Sequence, residues 1–378
     1  MIRQKICVIG NGLTGLTAAL ILSKLDIDIH LIGDFKSIKK FSDNRTTAIS
    51  SSNYNFLIKY LKKKDSKFFW PSTKIDLYYE ELDKILNFLN FEKDGKPIMY
   101  TIHNLKLRKI ILEKIRSDRK IKIINTHVKE IDQENSTINL QGKSINYDSI
   151  LLCVGRKSPM VKKLIGTRAV NHNYNEVAFT SIIKHKSNIT NSQQYFFKEG
   201  PLAILPTNKK EFSLIWSVNK HYSSGVMKNL IKKKINKILG SSGDFKISKI
   251  DFFPISFNLN TNFIKKNILV LGEGSYNIHP VAGQGFNLIL RDLKELYQEI
   301  EKQIYLGMQI KDSIVFYKFM LSRKPENLLF GIGINFIHKF FKNNIIAAPI
   351  KKIILKDINK FNFLKNLNLK IADSGIFK

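Results

Sequence analysis

Cysteine is scarce in this chain, with 2 in 378 residues. Cys7 and Cys153 both lie in apolar, strand-like runs, where a thiol is usually packed and inert. Neither a metal-ligand spacing nor a secretory signal is apparent. These absences argue against a disulfide framework and a bound metal, and they predict a protein of the reducing cytoplasm.

Long apolar runs and acidic residues are also in short supply. No stretch approaches the ~20 apolar residues of a membrane-spanning helix. Asp and Glu number 31 against 62 Lys and Arg, which gives a net charge of +31. The lysines are scattered and accompany no nucleic-acid-binding motif, so we expect no nucleic-acid partner. A solvated lysine-rich surface and attraction to an anionic membrane face remain as interpretations.

The C-terminal part, from about 330 to 367, has a different character because apolar residues and lysines alternate closely there. The apolar set includes Ile334, Phe336, Ile337, Phe340, Phe341, Ile345, Ile346, Ile350, Ile353, Ile354 and Leu355. The interleaved lysines are Lys339, Lys342, Lys351, Lys352 and Lys356. This density suits a helix lying in a membrane interface, on the inner face of the cytoplasmic membrane, and equally a helix packed on its own domain.

Glycine is concentrated at two places, and the first follows an N-terminal apolar run, KICVI. The sequence GNGLTG comes next, with Gly10, Gly12 and Gly15 at the spacing G-x-G-x-x-G. A helix over 13–24 and a strand over 27–32 would complete a βαβ unit. In such a unit the first glycine makes a tight turn, the second lets a pyrophosphate approach, and the third lets the helix pack closely. The pattern predicts a dinucleotide site.

One residue expected in such a unit is absent. The second strand usually ends in an acidic residue that binds the adenosine ribose. Gly33 occupies that place and Asp34 follows it. Either Asp34 reaches the ribose or the ribose lacks this contact.

The second concentration of glycine lies in GEGSYNIHPVAGQGFNLILRD, at 272–292. The apolar run NILVL precedes it, and the periodicity of Phe286, Leu288 and Ile289 begins directly after its last glycine. The segment therefore reads as strand, glycine loop and helix. This arrangement directs free backbone N–H groups at an anion or an electron-rich ring.

Together the two units resemble the FAD-binding ends of the flavoprotein aromatic hydroxylases related to para-hydroxybenzoate hydroxylase. The form IHPVAGQGFNLILRD is most similar to the branch that acts on polyprenylated phenols in ubiquinone biosynthesis. The stretches DNRTTAIS at 43–50, GPLAILP at 200–206, SLIW at 213–216 and GIGINFIHKFF from Gly331 agree with this branch. The resemblance implies FAD-dependent hydroxylation through a C4a-hydroperoxyflavin, with O₂ and NAD(P)H or another electron donor.

The resemblance also implies roles for particular residues. The FAD pyrophosphate would be held by Gly10, Gly12, Leu13, Thr14 and Gly15. Arg45 and Arg108 would lie along the extended cofactor, and Val128 would contact the adenine through its backbone.

At the flavin end, Glu273 stands where the family usually has Asp or Asn near the ribityl chain. His279 and Pro280 would line the ring without a certain acid, base or nucleophile among them. The residues expected to wrap the ring are Pro280, Gly283, Gln284, Gly285, Phe286 and Asn287. A helix start with free N–H groups would stabilise negative charge on the reduced flavin.

The chain departs from the family at Val154, which replaces an Asp implicated in nicotinamide binding, and at Tyr276. These departures leave the electron donor open. They also leave open two other functions: a prenyl-lipid reductase in which reduced flavin passes hydride, and a non-catalytic flavin-binding accessory protein of a ubiquinone biosynthetic complex.

The fold class that we predict is α/β, with two domains and a helical tail. A Rossmann-like FAD-binding domain would be assembled from 1–65, 98–175 and 262–320. A β-sheet substrate domain would comprise 66–97 and 176–261, with strands at 74–79, 176–184, 202–206 and 211–218. The remainder, 321–378, would be a C-terminal helical segment, which either associates with a membrane or packs on its own domain.

Overall fold

The computed structural model describes residues 3–36, 43–140, 142–155, 158–166, 169–222, 224–240, 244–260, 262–278, 283–311, 314–342 and 369–375. In chain order the strands are β1 (Lys5–Ile9), β2 (Asp28–Gly33), β3 (Thr46–Ser50), β4 (Trp70–Ser72), β5 (Lys74–Glu81), β6 (Lys84–Glu92), β7 (Met99–His103), β8 (Ile121–Asn125), β9 (Ile131–Asp132), β10 (Thr137–Leu140), β11 (Lys143–Asn146), β12 (Ser149–Leu152), β13 (Ala169–His185), β14 (Ser192–Phe197), β15 (Gly200–Asn208), β16 (Glu211–Asn219), β17 (Phe245–Ile247), β18 (Asp251–Asn260), β19 (Ile264–Lys265), β20 (Ile268–Val270) and β21 (Tyr276–Asn277). The helices are α1 (Leu13–Leu22), α2 (Ser51–Ile58), α3 (Asn104–Arg116), α4 (Pro159–Ile165), α5 (Ser224–Leu239), α6 (Gly285–Tyr305) and α7 (Ile314–Lys342). Residues 369–374 are also helical.

A six-stranded sheet carries the two glycine loops. Its order is β19-β20-β12-β1-β2-β8, with all neighbours parallel except β19 and β20. The apolar runs KICVI and NILVL thus become β1 and β20, on either side of β12, and the expected βαβ unit is present. Because parallel strands place their carboxyl ends at one edge, both glycine loops leave the sheet on the same side.

The second large sheet has nine strands, in the order β21-β18-β13-β16-β15-β14-β5-β6, with β17 also paired to β13. The strands expected within 74–79, 176–184, 202–206 and 211–218 are β5, β13, β15 and β16, and β13 begins earlier than expected, at Ala169. On this sheet Phe212 and Trp216 form a core with Met227, Ile231 and Ile235 of α5. Burial at these helical intervals explains why α5 covers one face of the sheet.

Helix α1 is buried over nearly its whole length because Leu16, Leu20 and Ile21 and their neighbours are apolar all round. It packs against α3 and α6, and α6 in turn packs against α7. Cys7 and Cys153 lie in this core, where burial raises the pKa of both thiols. They are therefore packed thiols, as the sequence predicts.

A buried polar network joins β21 to α6 and α7. Arg323 donates from Nε to Asp292 Oδ1 at 2.7 Å and from Nη1 to Glu326, while Tyr276 donates to Asp292 Oδ2 at 2.6 Å. Burial opposes the charge on Arg323, but Asp292 and Glu326 raise its pKa overall. Tyr276, a departure from the family pattern, thus has a structural partner.

Helix α7 has an inner and an outer face. On the inner face Phe330 and Ile334 are buried, and Phe341 stacks on Phe196 of β14 with ring centroids 3.6 Å apart. On the outer face Ile332 and Phe336 are 54% and 67% exposed. Within the described residues, no helix combines the length and apolarity needed to cross a bilayer.

The buried network predicts a large loss of stability on removing its cation. Arg323→Leu leaves Asp292 and Glu326 buried without their main partner, so the free energy of unfolding should fall by about 3–5 kcal/mol. Urea denaturation followed by circular dichroism measures this change.

The matched control is Arg3→Leu, because Arg3 pairs with Asp26 at 2.7 Å on an exposed surface. Its free energy of unfolding should stay within the error of the measurement. Equal destabilisation by the two substitutions would contradict the assignment of Arg323 as an internal support.

Candidate functional site

The first glycine loop is shaped by two close backbone approaches. Gly10 has φ +131°, and a Cβ there would lie 2.3 Å from the carbonyl oxygen of Cys153. A Cβ on Gly15 would lie 2.1 Å from the carbonyl oxygen of Gly10. Neither position accepts a side chain, so both glycines are required to seat α1 on the sheet.

Gly12 has a different environment from its two neighbours. A Cβ on Gly12 would meet nothing within 4 Å in the described structure. Gly12 is also the N-cap of α1, and no described side chain caps this helix start. The open space and the free N–H groups fit a pyrophosphate, which would occupy the volume that a side chain would fill.

The second glycine loop touches the first at Thr14. Gly272 has φ +73°, and a Cβ there would lie 2.8 Å from Thr14 Oγ1 and 2.9 Å from its Cγ2. The glycine therefore lets the chain after β20 rest directly on the first turn of α1. This contact brings the predicted pyrophosphate residues and the loop carrying Glu273 to one place.

The start of α6 carries the last two glycines of the second loop. Gly283 has φ +61°, and a Cβ on Gly285 would meet nothing within 4 Å among the described residues. Gln284 is the N-cap without a side-chain capping bond, and its buried Oε1 has no hydrogen-bond partner among the described residues. A buried acceptor and a helix start without a cap fit a ligand carrying polar edge atoms. His279 and Pro280 lie outside the described residues.

Asn287, in the first turn of α6, is bonded to the protein through its whole side-chain amide. Its Oδ1 accepts from the backbone N–H of Ser50 at 2.9 Å, and its Nδ2 donates to Ala48 O at 3.0 Å and Gly283 O at 3.2 Å. The side chain is buried at 2% exposure. Contact of Asn287 with a flavin remains a prediction and would fall to its backbone, while the amide holds the loop against β3.

The two arginines expected along the cofactor are both bonded to the protein. Arg45 makes a two-pronged bond to Asp43, from Nε to Oδ1 at 2.8 Å and from Nη2 to Oδ2 at 2.9 Å. Burial opposes its charge, but Asp43 and then Glu273 raise the pKa of Arg45 overall. Arg108 donates to the carbonyl oxygen of Asn11 at 2.9 Å, and burial lowers its pKa. Both arginines are thus positioned by the protein, and their contact with a cofactor stays a prediction.

The end of β2 explains why the expected acidic residue is missing. A Cβ on Gly33 would lie 2.9 Å from Asn11 Cβ. Asn11 donates its amide to the carbonyl oxygen of Asp34. Asn11 therefore occupies the space that a side chain at position 33 would need. A ribose contact from Asp34, the next residue, stays a prediction.

Asp34 and Val128 lie at the same edge because β2 pairs with β8. The Asp34 carboxylate accepts from the backbone N–H of Lys36 at 3.0 Å and lies 3.7 Å from His127 Nε2. Val128 is partly buried against the core. This arrangement is compatible with ribose and adenine contacts, which stay predictions.

An apolar surface borders the start of α6. Ala48, Met99 and Leu205 form a small buried cluster, with Ile75 and Ile215 packed against it. A Cβ on Gly283 would lie 3.0 Å from Ala48 Cβ, which places the cluster beside the second loop. The surface lies between the small β3-β7-β4 sheet and the nine-stranded sheet. It could exclude water from a reacting ring.

Sequence reasoning missed several residues that build this site. Asn11 and Ala48 lie inside the motifs GNGLTG and DNRTTAIS, but neither sequence pattern reveals their packing role. Asp373 also reaches the site, since its carboxylate accepts from the backbone N–H of Ser52 at 2.7 Å. The two residues are 321 positions apart in the chain, so no local signal could reveal their contact.

Comparison with solved structures finds proteins with a similar fold. The p-nitrophenol 4-monooxygenase of Pseudomonas putida superposes with a TM-score of 0.82 at 14% identity, covering 100% of this chain and 99% of that one. HpxO of Klebsiella pneumoniae, solved with FAD and uric acid, gives 0.76 at 12% identity, covering 99% and 98%.

This chain has the fold of the FAD-dependent monooxygenases. The predicted α/β fold with a second β-sheet domain is thereby confirmed. The exact domain boundaries remain a prediction.

Sequence comparison finds relatives that are ubiquinone hydroxylases and ubiquinone biosynthesis monooxygenases. Ubiquinone hydroxylase UbiL of Rhodospirillum rubrum is 21% identical over 391 residues, covering 97% of this chain and 89% of the relative. The mitochondrial ubiquinone biosynthesis monooxygenase of Dictyostelium discoideum is 26% identical over 215 residues, covering 47% and 43%. That of Danio rerio is 24% identical over 242 residues, covering 53% and 49%. The resemblance to ubiquinone-biosynthesis hydroxylases is thus confirmed at the level of sequence.

The extent of these matches is uneven. The matched region spans about half the length of the two mitochondrial relatives, at 43% and 49%. No family model matches the chain.

The open space at Gly12 generates a prediction about cofactor retention. Gly12→Val places a branched side chain in the space expected for the pyrophosphate, so bound FAD should be lost while the thermal midpoint of the apoprotein changes little. Absorbance at the flavin band and differential scanning fluorimetry measure the two quantities.

Gly225→Val is the matched control, because a Cβ on this exposed glycine also meets nothing within 4 Å. It should leave both quantities unchanged. Retention of FAD by the Gly12 variant would show that the pyrophosphate does not lie there.

Proposed function

We propose that this protein is an FAD-dependent hydroxylase that inserts one oxygen atom from O₂ into a polyprenylated phenol of ubiquinone biosynthesis. The observation that carries the proposal is the meeting of two glycine loops at Thr14 and Gly272, with open helix starts at α1 and α6. A relative matched over 89% of its length is a ubiquinone hydroxylase, which supports the substrate class.

In this proposal Gly10, Gly12, Leu13, Thr14 and Gly15 bind the FAD pyrophosphate. The N–H groups at the start of α6 orient the pyrimidine edge of the ring and favour negative charge on it. Asn287 keeps those groups in place through its bonds to Ala48 and Gly283. When bound, FAD supplies the activation of O₂ and the oxygen transfer.

The phenol would lie against the apolar surface of Ala48, Met99 and Leu205. Such a surface contributes by desolvation and by placing the ring, since it offers no polar group that could act as acid or base. A hydrophobic site also suits a substrate with a prenyl chain. The electron donor stays open, because Val154 replaces the Asp usual in the family.

The prenyl chain keeps such a substrate in a bilayer, so we propose that the protein docks on an anionic membrane face. Support comes from the outer face of α7, where apolar side chains are exposed at helical spacing: Ile314, Tyr317, Leu321, Leu328, Ile332 and Phe336. Exposed lysines flank this stripe at Lys318, Lys324 and Lys339. Apolar and basic residues on one helix face suit insertion at the headgroup level.

The hydroxylase proposal predicts a defined product from a single turnover. The FAD-loaded protein is reduced chemically without oxygen, mixed with a prenylated phenol and exposed to ¹⁸O₂. We expect a product that carries one ¹⁸O atom, measured by mass spectrometry. The chemical reductant removes the need to know the natural donor.

The Gly12→Val protein without FAD is the control for this experiment and should give no labelled product. Unmodified phenol with stoichiometric hydrogen peroxide would contradict hydroxylation. A product with a saturated prenyl double bond would instead identify a reductase.

Membrane docking predicts charge-dependent vesicle binding. Replacing Lys339, Lys342, Lys351 and Lys352 with Gln should weaken binding to anionic vesicles, because each near-surface Lys contributes about 1 kcal/mol. The parent protein should bind anionic vesicles more tightly than neutral ones. Its binding to anionic vesicles should weaken as salt rises, since the screening length is about 8 Å at physiological ionic strength. Cosedimentation measures the binding of the parent and of the variant.

Bound FAD should be unchanged in the quadruple variant. If this variant binds anionic vesicles as well as the parent does, the tail is ordinary packing and another protein must deliver the substrate. Lys351 and Lys352 lie outside the described residues, so the experiment also probes that part of the chain.

A further inference from the structure

The C-terminal segment 369–375 returns to the region of the flavin site. There Asp373 contacts the start of α2: its Oδ1 accepts from Ser52 N at 2.7 Å, and its backbone O accepts from Ser50 Oγ at 3.0 Å and from Ser52 Oγ. Asp373 therefore accepts three hydrogen bonds, which fix the turn between β3 and α2.

Asp373 does for α2 what a local capping residue usually does. The N-cap Ser50 makes no side-chain capping bond of its own, and the first turn of α2 contains no acidic residue. A carboxylate that accepts an N–H in the first helical turn satisfies a free donor and interacts favourably with the helix dipole. Asp373 is therefore a cap supplied from 321 positions further along the chain.

The capped turn is bonded directly to the start of α6. Ser50 donates its backbone N–H to Asn287 Oδ1 at 2.9 Å, and Asn53 donates to the same oxygen at 3.1 Å and to Ser50 Oγ at 3.0 Å. Asn287 then donates to Gly283 O at 3.2 Å. A continuous chain of hydrogen bonds thus runs from Asp373 to the glycine loop that we assign to the flavin ring.

The same segment is tied to α6 by a second contact, one turn beyond Asn287. Arg291 donates from Nη2 to the carbonyl oxygen of Ala372 at 2.6 Å, and its side chain is buried at 5% exposure. Gly375 packs on Glu326 so closely that a Cβ would lie 2.3 Å from Glu326 Oε1. The segment therefore holds α2, α6 and α7 in one arrangement.

We propose that Asp373 is a positioning residue for the isoalloxazine end of the FAD site. It acts through Ser50 and Asn287 and fixes the distance between β3 and the start of α6. This inference rests on the proposed FAD site and adds a residue that touches neither cofactor nor substrate. The adenosine end, built on α1 and Gly12, has no described contact with Asp373, so its affinity for ligands should not depend on this residue.

The test compares two ligands of the same apoprotein. ADP reports the pyrophosphate and adenosine end alone, whereas FAD reports both ends. For Asp373→Ala we expect the Kd of FAD to rise by about tenfold, which corresponds to a loss of ~1.4 kcal/mol of binding free energy. The Kd of ADP should stay within about twofold of the parent value. Isothermal titration measures both, and the visible circular dichroism of bound flavin should change.

Asp373→Asn is the conservative variant, since its amide oxygen can still accept from Ser52 N, and it should recover most of the FAD affinity. Asp244→Ala is the matched control because Asp244 forms an exposed pair with Lys186 at 2.8 Å. It should alter neither Kd nor the flavin spectrum.

Two results would overturn the positioning role: an unchanged Kd of FAD in Asp373→Ala, or equal weakening of ADP and FAD. If the parent itself binds no FAD, the proposed function fails and amide exchange still decides the inference. Asp373→Ala should then speed hydrogen exchange over 50–53 and 283–287 while leaving 10–15 unchanged. Exchange at the parent rate in the first two segments would refute it.

Discussion

The side-chain amide of Asn287 is the contact on which the candidate site depends. Two parts of the chain distant in sequence meet there: strand β3 with the turn into α2, and the glycine loop before α6. The amide is buried, and an unpaired buried polar group costs about 1–3 kcal/mol, so these partners cannot separate without a penalty. The bond from Asn287 to the carbonyl oxygen of Gly283 holds the glycine loop at its last described turn before α6. The start of α6 thus keeps backbone N–H groups for a ligand, while the bonds of Asn287 hold its position.

Several buried acidic residues are paired with cations. Acidic residues are outnumbered by 31 to 62, yet several of the buried ones hold arginines at the elements that frame the site. Asp43 binds Arg45, while Asp292 and Glu326 bind Arg323. Removing the cation from such a pair leaves a buried carboxylate without its partner, so these acids and their arginines support the elements around the site. The net charge of +31 favours attraction to an anionic partner.

Local patterns account for what the sequence could predict. The spacing of Gly10, Gly12 and Gly15 depends on contacts within one βαβ unit, and the structure shows why Gly10 and Gly15 tolerate no side chain. Asn11 fills the space that an acidic side chain at position 33 would need. This packing depends on a contact between two loops, which no pattern in a single sequence encodes. The cap from Asp373 and the network around Arg323 join elements across the chain, and they became visible only with tertiary structure. What the sequence could not predict were contacts between separate segments, because these depend on tertiary structure.

The orientation of α7 about its axis determines which of its residues are buried in the ion network and which apolar side chains are exposed. Arg323, Glu326 and Phe330 must face α6, since the first two are bonded to buried partners and the third lies under Arg291 at 4.6 Å. Residues on the opposite side of a helix with 3.6 residues per turn then have to face outward. Ile332 and Phe336 do so, at 54% and 67% exposure. Turning the helix to bury them would expose the ion network or bury Lys324. The apolar stripe thus follows from the same constraint that seats α6, and a lipid surface with anionic headgroups matches its flanking lysines.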